Sequence, residues 1–491
     1  GQTIKKGGCC MGSDLKKIHA ASVRLLKEIG IKLHHSEILD RIAGCGIRVE
    51  GQTAFFEEKQ LRHWVNMAPG RFTLTALNPE HDMFVGGDSI EYAAGYGAPT
   101  IVDPEGNRRA ALMEDYIQFL KLVNQSPYFH LNGGILVQPM DLLNLPCFPV
   151  MLYASILHSD KCLMGFQSNR RTMEQLMDMV AICFGGKDKL LEKPRLISMI
   201  STMSPLQVDS EALDTLLVCA GYRQPVIISP GPAAGSTGPV TMAGNVSLAN
   251  AEALAVIAIS QMIQPGTPVV YGLQSTAADL RSGGISVGSP AYSIQAAYCA
   301  RLARMYGIPS RTGGTNNDAK GVSVQSGYES MFSMLNACLH NVNLIVHSAG
   351  MLDSYAATSY EQFMVDLEII SMIEFYLQGL ETDQDSFAFD VIKGVGSGGE
   401  FLSSEHTLLH FRTDTWNPLL GLRGHIKGMT PNEKFLFNIN KVMNGMLESY
   451  QKPPYDPAML ESLENYLIQE VGLEREVLAS IRGDSLSQNS D

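Results

Sequence analysis

Beyond residue 125 the chain alternates short, uniformly apolar runs with longer stretches of helical periodicity. The apolar runs fall at 131–137, 161–166, 195–201, 225–229, 267–273, 308–314 and 342–347. Their spacing of about 30 to 40 residues is the length of one βα unit, and continuous apolar runs suit parallel strands buried on both faces. We therefore predict an α/β fold with a (β/α)8 TIM barrel, and we assign the weaker run at 387–396 to the eighth strand. An open α/β sheet is the alternative.

The segments that flank the predicted barrel follow other patterns. Residues 13–67 have helical periodicity with Ser36 as a candidate N-cap, and residues 71–102 combine strand-like alternation with glycine-rich turns. Thr430, Pro431 and Glu433 form a capping-box pattern that predicts a new helix. We predict three regions, which are 1–125 (a helical region with a small β insert), 126–430 (the barrel core) and 431–491 (C-terminal helices and a disordered tail).

Composition narrows the possible functions of these 491 residues. Hydrophobic residues make up 45% and charged residues 18%, as in a large enzyme with an extensive core, and the net charge of −13 disfavours a nucleic-acid partner. The nine cysteines are scattered without a CxxC pair, which disfavours a zinc cluster and favours a cytoplasmic location. The most apolar stretch, 250–273, is interrupted by polar residues and Pro265, so no membrane-spanning helix is predicted.

Polar residues follow nearly every predicted strand, where a barrel would place them at one shared mouth. In chain order they are Gln138, Gln167, Thr202, Ser204, Gln274, Asn316, Asn317, Asp318 and His347. Because amides and hydroxyls dominate, we expect the mouth to position a ligand by hydrogen bonds and to perform little proton chemistry.

The titratable and aromatic candidates each have a structural and a functional interpretation. His347 could be a structural hydrogen-bonder or a ligand contact, Asp318 could cap a turn, and Glu329 could face solvent. Tyr96, Phe166 and Tyr355 lie near predicted loops. Aromatic residues gathered at a mouth with few charges favour a quaternary ammonium ligand through cation–π contact, although each could instead belong to the core.

Several long segments together resemble the trimethylamine methyltransferase superfamily. They are GYGAPTIVDPEGNRRAA, GFQS, STMSPL, ISPGPAAGSTGPVTMAGN, RTGGTNNDAKGVSVQSGYES and NLIVHSAGML. The resemblance extends from about Ser13 to about Leu473. It implies a (β/α)8 barrel that moves a methyl group from a methylated amine to the cobalt of a separate corrinoid protein.

Some members of that superfamily carry pyrrolysine in the mouth, whereas this chain contains only the twenty standard residues. It therefore resembles the non-pyrrolysine branch, whose members act on quaternary amines such as glycine betaine, proline betaine or carnitine, and glycine betaine is the first expectation. The chain lacks the DxHxxG pattern that holds a corrinoid from below. The corrinoid (cobalamin) is accordingly expected on a cognate partner protein, with no metal bound by this chain.

The resemblance and the strand ends together define the expected site. The expected catalytic residues are His347, Asp318 and Glu329, and the expected substrate-binding residues are Asn316, Asn317, Gln325, Gln167, Gln274, Tyr96, Phe166 and Tyr355. His347 is expected to contact the corrinoid or a substrate carboxylate, and the Asn316–Glu329 set is expected to shape the substrate and corrin end of the mouth.

Two other functions stay open at this point. His406 and His410 are spaced i, i+4, as metal ligands on one helix face would be, which suggests a metal-dependent TIM-barrel hydrolase or lyase. The aromatic set would also suit a non-catalytic betaine-binding protein. A homo-oligomer is expected from the size and the core-rich composition.

Overall fold

The computed structural model describes residues 11–142 and 144–483. The N-terminal region contains α1 (Met11–Glu28), β1 (Ile31–Leu33), α2 (Ser36–Gly44), β2 (Arg48–Glu50), β3 (Thr53–Phe55), α3 (Glu58–Val65), β4 (Arg71–Leu74) and β5 (Met83–Gly86). The central region contains β6 (Glu91–Tyr92), β7 (Thr100–Val102), β8 (Arg108–Ala110), α4 (Met113–Gln125), α5 (Cys147–His158), β9 (Leu163–Met164), α6 (Arg170–Phe184), α7 (Lys187–Glu192), β10 (Leu196–Ile200), β11 (Gln207–Val208), α8 (Ser210–Gly221), β12 (Val226–Ile228), β13 (Ala233–Ala234), α9 (Met242–Ile263), β14 (Val269–Gly272), β15 (Thr276–Asp279), β16 (Gly284–Ser286), α10 (Pro290–Tyr306), β17 (Ser310–Gly313), α11 (Val324–Leu339), β18 (Leu344–Val346), β19 (Met351–Leu352), β20 (Ala357–Thr358) and α12 (Tyr360–Gln378). The C-terminal region contains α13 (Phe389–Val395), α14 (Glu405–His410), α15 (Pro431–Glu448), α16 (Pro457–Tyr466) and α17 (Arg475–Arg482).

Eight parallel segments form a closed barrel. Seven strands pair in the order β6-β18-β17-β14-β12-β10-β9, and every pair is parallel. Bridges from Tyr92 to Phe129 and from Leu131 to Cys162 place the segment 129–131 between β6 and β9 and close the ring. The predicted (β/α)8 barrel is therefore confirmed, with a helix covering the outside after each strand.

Two strand assignments from the sequence were wrong. The run 387–396 forms the exposed helix α13, and the remaining barrel strand is β6, which lies within the range predicted as the N-terminal region. The first apolar run pairs only at Leu131, so its strand lies slightly upstream of 131–137. β6 and the segment 129–131 pair over only two or three residues, too few to produce a long apolar run. The run 387–396 is apolar in sequence but forms a helix with no buried residue. The three regional boundaries stay a prediction.

The hairpin of β4 and β5 closes the amino-terminal end of the barrel. Phe72, Leu74, Met83 and Val85 form one buried cluster with inward residues of the barrel strands. The Thr75 N–H also donates to the Pro194 carbonyl just before β10. This apolar floor leaves the polar residues at the opposite, carboxyl-terminal end, where barrel active sites lie.

Helix α9 is buried on all sides because the N-terminal helices cover its outer face. It packs against α1, α2 and α3 on the outside and against the barrel strands on the inside. Ser22 of α1 donates from its hydroxyl to the Ser247 carbonyl of α9, at 2.8 Å. Among the described residues α9 is the helix long and apolar enough to cross a membrane, and its apolar window lies entirely inside the protein.

Helix caps agree in part with the sequence. The capping box at Thr430 and Glu433 is present, with Thr430 Oγ1 accepting from the Glu433 N–H. The cap of α2 was misplaced by one residue, because His35 and not Ser36 accepts from the Ile38 N–H. The imidazole Nδ1 thus takes the place of the usual cap oxygen. The predicted disordered tail falls mostly on residues 484–491, which lie outside the described residues.

Candidate active site

Arg311 lies at the centre of the barrel mouth. It belongs to β17, and its guanidinium reaches across to residues that follow three other strands. Nη1 donates to Ser229 Oγ at 2.8 Å and to Gln274 Oε1 at 3.4 Å, and Nη2 lies 3.2 Å from His347 Nδ1. These contacts show that the ends of β12, β14, β17 and β18 converge on one cation.

The charge of Arg311 has no counter-ion within the described part of the chain. The residue is completely buried, it forms no ion pair with a described carboxylate, and its Nε has no hydrogen-bond partner. Burial lowers the pKa of the guanidinium, but arginine keeps its proton in proteins. A buried cation without an anion is costly, so the site is electrostatically incomplete without a ligand.

The sequence analysis missed Arg311 as a site residue. It stands in the run IPSRTGG, which was interpreted only as a buried strand. The available signal was the charge itself, since an arginine in the middle of a strand that is buried on both faces needs a buried partner.

His347 is held neutral in the same mouth. It follows β18 directly, it is 1% exposed, and its backbone has a left-handed φ of 57°. Burial and then the charge of Arg311 lower the pKa of His347 well below its usual value. Because a guanidinium can only donate, Nδ1 must accept from Arg311, and the ring proton therefore sits on Nε2. His347 thus serves as a hydrogen-bonding group and carries no charge at neutral pH.

Two tyrosines flank His347. The ring of Tyr355 lies 4.4 Å from the His347 ring, between centroids, and the ring of Tyr96 meets it edge-on at 6.4 Å. Tyr355 ends a turn, Asp353–Tyr355, in which all three residues have left-handed φ values of 53°, 53° and 76°. Its hydroxyl is buried without a partner. Such a strained turn is found where the surrounding contacts hold a side chain in place for function.

Asp318 holds together the loops around the mouth. Its carboxylate accepts from Ser286 Oγ at 2.6 Å, from the Val287 N–H at 2.8 Å and from Ser354 Oγ at 2.7 Å. These donors belong to the loops that follow β14 and β18, while Asp318 itself follows β17. The carboxylate is therefore occupied by loop contacts, one of which supports the strained turn that carries Tyr355.

Glu329 and Gln325 form the second layer behind Asp318. Glu329 Oε2 accepts from the Asp318 N–H at 2.7 Å, and Gln325 Nε2 donates to Glu329 Oε1 at 3.0 Å. Both side chains project from α11 toward the loop that follows β17. They fix the position of that loop, and neither lies among the recorded contacts of Arg311.

The two asparagines of this loop differ in how their amides are used. Asn317 Nδ2 donates to the Met351 carbonyl at 2.8 Å and to Ser330 Oγ at 3.1 Å, which connects it to neighbouring loops. Asn316 is fully buried, and neither its Nδ2 nor its Oδ1 has a hydrogen-bond partner. Asn316 thus adds two unsatisfied polar atoms to the mouth.

Gln167 and Phe166 lie at the end of β9, away from this cluster. Gln167 Oε1 accepts from the Ser201 N–H at 3.0 Å, and the buried ring of Phe166 stacks on Phe148 with 4.7 Å between centroids. The structure therefore brings His347, Gln274, Tyr96 and Tyr355 together around Arg311. It gives Gln167 and Phe166 other partners.

The histidine pair considered as a metal site lies on the exposed helix α14. The rings of His406 and His410 stack 4.4 Å apart, and His410 Nδ1 lies 2.9 Å from an Asp414 oxygen. No group of three or more His, Cys, Asp or Glu residues suited to a metal ion occurs in the described ranges. The donor set for a metal-dependent hydrolase is thus not assembled there.

Comparisons with known proteins identify the family of this chain. A family model described as trimethylamine methyltransferase (MTTB) matches residues 8–471. The chain belongs to this family. The expected methyltransferase family is confirmed, and the family model covers the whole barrel and most of its C-terminal helices.

Several named proteins are similar to this chain. It is 39% identical to the glycine betaine methyltransferase of Desulfitobacterium hafniense (strain Y51), covering 96% of this chain and 100% of that protein. It is 30% identical to the proline betaine:corrinoid methyltransferase of Eubacterium limosum, covering 82% and 84%. The crystal structure of the Methanosarcina barkeri monomethylamine methyltransferase (MtmB) matches with a TM-score of 0.50 at 10% identity, covering 88% of this chain and 86% of that chain, which supports the fold.

Proposed function

We propose that this protein transfers a methyl group from a quaternary amine that carries a carboxylate, with glycine betaine as the first candidate, to the Co(I) of a corrinoid on a partner protein. The observation that carries the proposal is the buried guanidinium of Arg311, which lacks an anion in the described structure. Two relatives whose names contain glycine betaine and proline betaine support it.

A betaine would complete the electrostatics of the mouth. Its carboxylate would supply the missing counter-ion and would accept from Arg311 Nε, a donor that has no partner of its own. Asn316 Nδ2 and the Tyr355 hydroxyl are two further buried donors without partners. Because an unsatisfied buried donor costs about 1–3 kcal/mol, a ligand that satisfies several of them binds with a corresponding gain.

The ammonium end of the same ligand needs a different surface. The rings of Tyr96 and Tyr355 both lie close to His347, and aromatic faces attract a quaternary ammonium by cation–π interaction. The depressed pKa of His347 keeps its imidazole neutral, so it does not repel the cation. A cationic histidine at this position would oppose binding.

Methyl transfer from such a ligand needs little acid–base help. A corrinoid on the partner protein would supply a strong Co(I) nucleophile that accepts the methyl group. The carbon–nitrogen bond breaks, its electron pair stays on nitrogen, and the product is a neutral tertiary amine. The residues of this chain therefore orient the methyl carbon in line with the incoming nucleophile and exclude water.

The rim of the mouth fits a protein partner that brings the corrinoid. Met203, Val240, Leu280 and Ile285 follow β10, β12 and β14 and are 48%, 69%, 73% and 42% exposed. Val240 and Leu280 are close neighbours, since a Cβ on Gly235 would lie 3.6 Å from one and 3.8 Å from the other. Clustered exposed apolar side chains beside a site are typical of a docking surface.

In this proposal Asp318, Glu329, Gln325 and Asn317 are positioning residues. Their side chains bind loops around the mouth. His347 and Asn316 stay predicted ligand contacts.

The test is methyl transfer to chemically reduced cobalamin, with the Co(I) absorbance and the demethylated amine both measured. Glycine betaine is compared with choline, which has the same trimethylammonium group but a hydroxyl in place of the carboxylate. We expect Co(I) loss with glycine betaine and a kcat/KM at least about 1,000-fold lower with choline, because choline leaves Arg311 unpaired. Proline betaine, carnitine and trimethylamine complete the panel.

Equal turnover of choline and glycine betaine would contradict the role of Arg311. Binding of glycine betaine without any methyl transfer, under conditions in which another corrinoid methyltransferase works, would favour the binding-protein alternative. Stoichiometric zinc in the purified protein would reopen the hydrolase alternative.

A further inference from the structure

The turn between β19 and β20 presents Tyr355 to the mouth. The two strands pair antiparallel with Leu352 opposite Ala357, so residues 353–356 connect them in a tight hairpin. The first three residues of the turn all have left-handed φ values, a conformation that residues other than glycine adopt only when neighbouring contacts impose it. The ring of Tyr355 lies at the end of this strained stretch, 4.4 Å from the ring of His347. The turn therefore needs contacts that hold it in place.

Asp353 connects the turn to two other segments around the mouth. Arg108 Nη1 donates to Asp353 Oδ2 at 2.8 Å, and Lys320 Nζ donates to Asp353 Oδ1. Arg108 belongs to β8, and Lys320 lies in the loop that follows β17. Arg108 Nη2 also donates to the Lys320 carbonyl at 3.2 Å, so the three residues form one network. These three residues are here called the Asp353 clamp.

The clamp lies at the solvent edge of the mouth. The side chains of Arg108 and Lys320 are 39% and 74% exposed, and that of Asp353 is 15% exposed. Although burial acts to raise the pKa of Asp353, the hydrogen bonds from Lys320 and Arg108 hold that pKa below its usual value, so the carboxylate is ionised at neutral pH. Exposed ion pairs add little to the stability of a whole protein, so two of them on one strained turn indicate a local role.

Other contacts fix the middle of the same turn. Asp318 accepts from Ser354 Oγ at 2.7 Å, and the Ser354 N–H donates to the Asn317 carbonyl at 3.1 Å. The buried hydroxyl of Tyr355, by contrast, has no hydrogen-bond partner among the described residues. The position of Tyr355 therefore depends on the two residues that precede it, and Asp353 carries the charged contacts of that pair.

We propose that Asp353 is a positioning residue for the substrate site, because the Asp353 clamp holds Tyr355 beside His347. The Asp353 carboxylate binds two side chains at the solvent edge, so it acts on a ligand only through the turn. The inference rests on the proposed function, in which Tyr355 faces the substrate. A displacement of about 1 Å in a group that orients the reacting atoms lowers the rate about 100-fold.

The first test is a double-mutant cycle on methyl transfer from glycine betaine to reduced cobalamin. We expect Asp353→Ala to lower kcat/KM about 100-fold per folded molecule, because the turn is released and Tyr355 moves. In the Tyr355→Ala background the same substitution should change kcat/KM less than about threefold, since the group that Asp353 positions is already absent. A second loss of about 100-fold in that background would overturn the proposal, and so would wild-type kcat/KM in Asp353→Ala alone.

The second test does not require turnover. Protein labelled with fluorotyrosine gives a fluorine NMR resonance for Tyr355, which is assigned by its loss in Tyr355→Phe. We expect Asp353→Ala to shift or broaden this resonance, and an unchanged resonance would overturn the proposal. A wild type that transfers no methyl group would contradict the proposed function, whereas the resonance would still decide whether Asp353 holds Tyr355.

Asp178→Ala is the matched control. Asp178 also forms an ion pair with an exposed lysine, Lys187, but this pair lies on the outer helices α6 and α7. The variant should keep the wild-type kcat/KM and the wild-type Tyr355 resonance, and effects equal to those of Asp353→Ala would contradict a local role.

A folding defect in Asp353→Ala is met by a variant that leaves Asp353 in place. If circular dichroism shows misfolding, the double variant Arg108→Met/Lys320→Met is used instead, because both replaced side chains are exposed. It should lower kcat/KM and shift the Tyr355 resonance. Wild-type values of both quantities would overturn the proposal.

Discussion

The two ends of the barrel each hold one buried cation, and only one of these cations is satisfied by the protein itself. Near the floor, Lys161 is 2% exposed and its Nζ donates to the Val123 and Ser126 carbonyls at 2.8 and 2.7 Å, at the carboxyl-terminal end of α4. At the mouth, Arg311 is equally buried but keeps a free Nε and no described anion. A buried cation that donates to backbone carbonyls stabilises the fold. A buried cation that lacks an acceptor and an anion indicates a ligand site.

Arg311→Met removes the unpaired cation at the mouth. We expect kcat/KM for glycine betaine to fall at least about 1,000-fold, since an interaction with a buried carboxylate worth about 4 kcal/mol is lost. The melting temperature should stay the same or rise, because an unpaired buried charge is removed. Steady-state kinetics and thermal unfolding of the same preparation check both expectations. Turnover within tenfold of wild type would contradict the role given to this guanidinium.

Lys161→Met should show the opposite pattern. Two carbonyl groups lose their donor, so we expect the free energy of unfolding to fall by about 3 kcal/mol, as measured by urea titration. Turnover per folded molecule should not change, because Lys161 lies far from the mouth. A selective loss of kcat/KM in folded protein would show that the two cations are not separated in function.

Asp318→Asn tests a charged residue of the mouth whose hydrogen bonds are already made within the protein. Its carboxylate is already satisfied by Ser286, Val287 and Ser354, so it should behave like a structural residue. An amide can accept fewer of these bonds, and we expect about 2 kcal/mol lower stability and a higher KM with a smaller change in kcat. Ser354→Ala, which removes one donor, is the milder control. A large loss of kcat at unchanged KM would instead indicate direct catalysis.

A further prediction concerns pH and Asp366, a buried carboxyl behind the mouth that accepts from the Gly350 N–H at 2.8 Å. Burial raises its pKa to about 8, well above its unfolded value, so the folded state holds a proton that the unfolded state releases. Its contribution to stability is therefore lost as pH rises toward 8, by at most about 1.4 kcal/mol per pH unit. Asp366→Asn should flatten the decline in melting temperature between pH 6 and 8. A decline as steep as in wild type would assign it to other groups.

Much of the barrel was predictable because six strands occupy apolar runs long enough to be seen. β6 was not, since its two residues, Glu91 and Tyr92, leave no periodic signal and are recognised only by their pairing with β18. The exposed helix α13 was mistaken for a strand because its apolar run resembles that of a buried strand, although none of its residues is buried. Pattern alone locates apolar segments, but it does not show whether they are buried.

The types of residue at the site were easier to predict from the sequence than the role of each residue. The polar strand ends pointed to the mouth, and His347, Gln274 and Tyr355 do meet there. Arg311 was missed because its run was interpreted only as a buried strand, and the charge of the arginine within that strand was not considered. The contacts of Asp318 could not be foreseen, since they join loops that are far apart in the sequence.

The covering of α9 by the N-terminal helices also has a consequence for synthesis on the ribosome. α3 ends at Val65 and α9 begins at Met242. At a translation rate of 5–20 residues per second, α1, α2 and α3 therefore emerge from the ribosome roughly 10 to 35 s before α9, the helix that they cover. A chain that lacked residues 11–65 would expose the outer side of α9, a helix long and apolar enough to cross a membrane. The order of these segments along the chain therefore makes the covering helices available before the apolar helix that needs them.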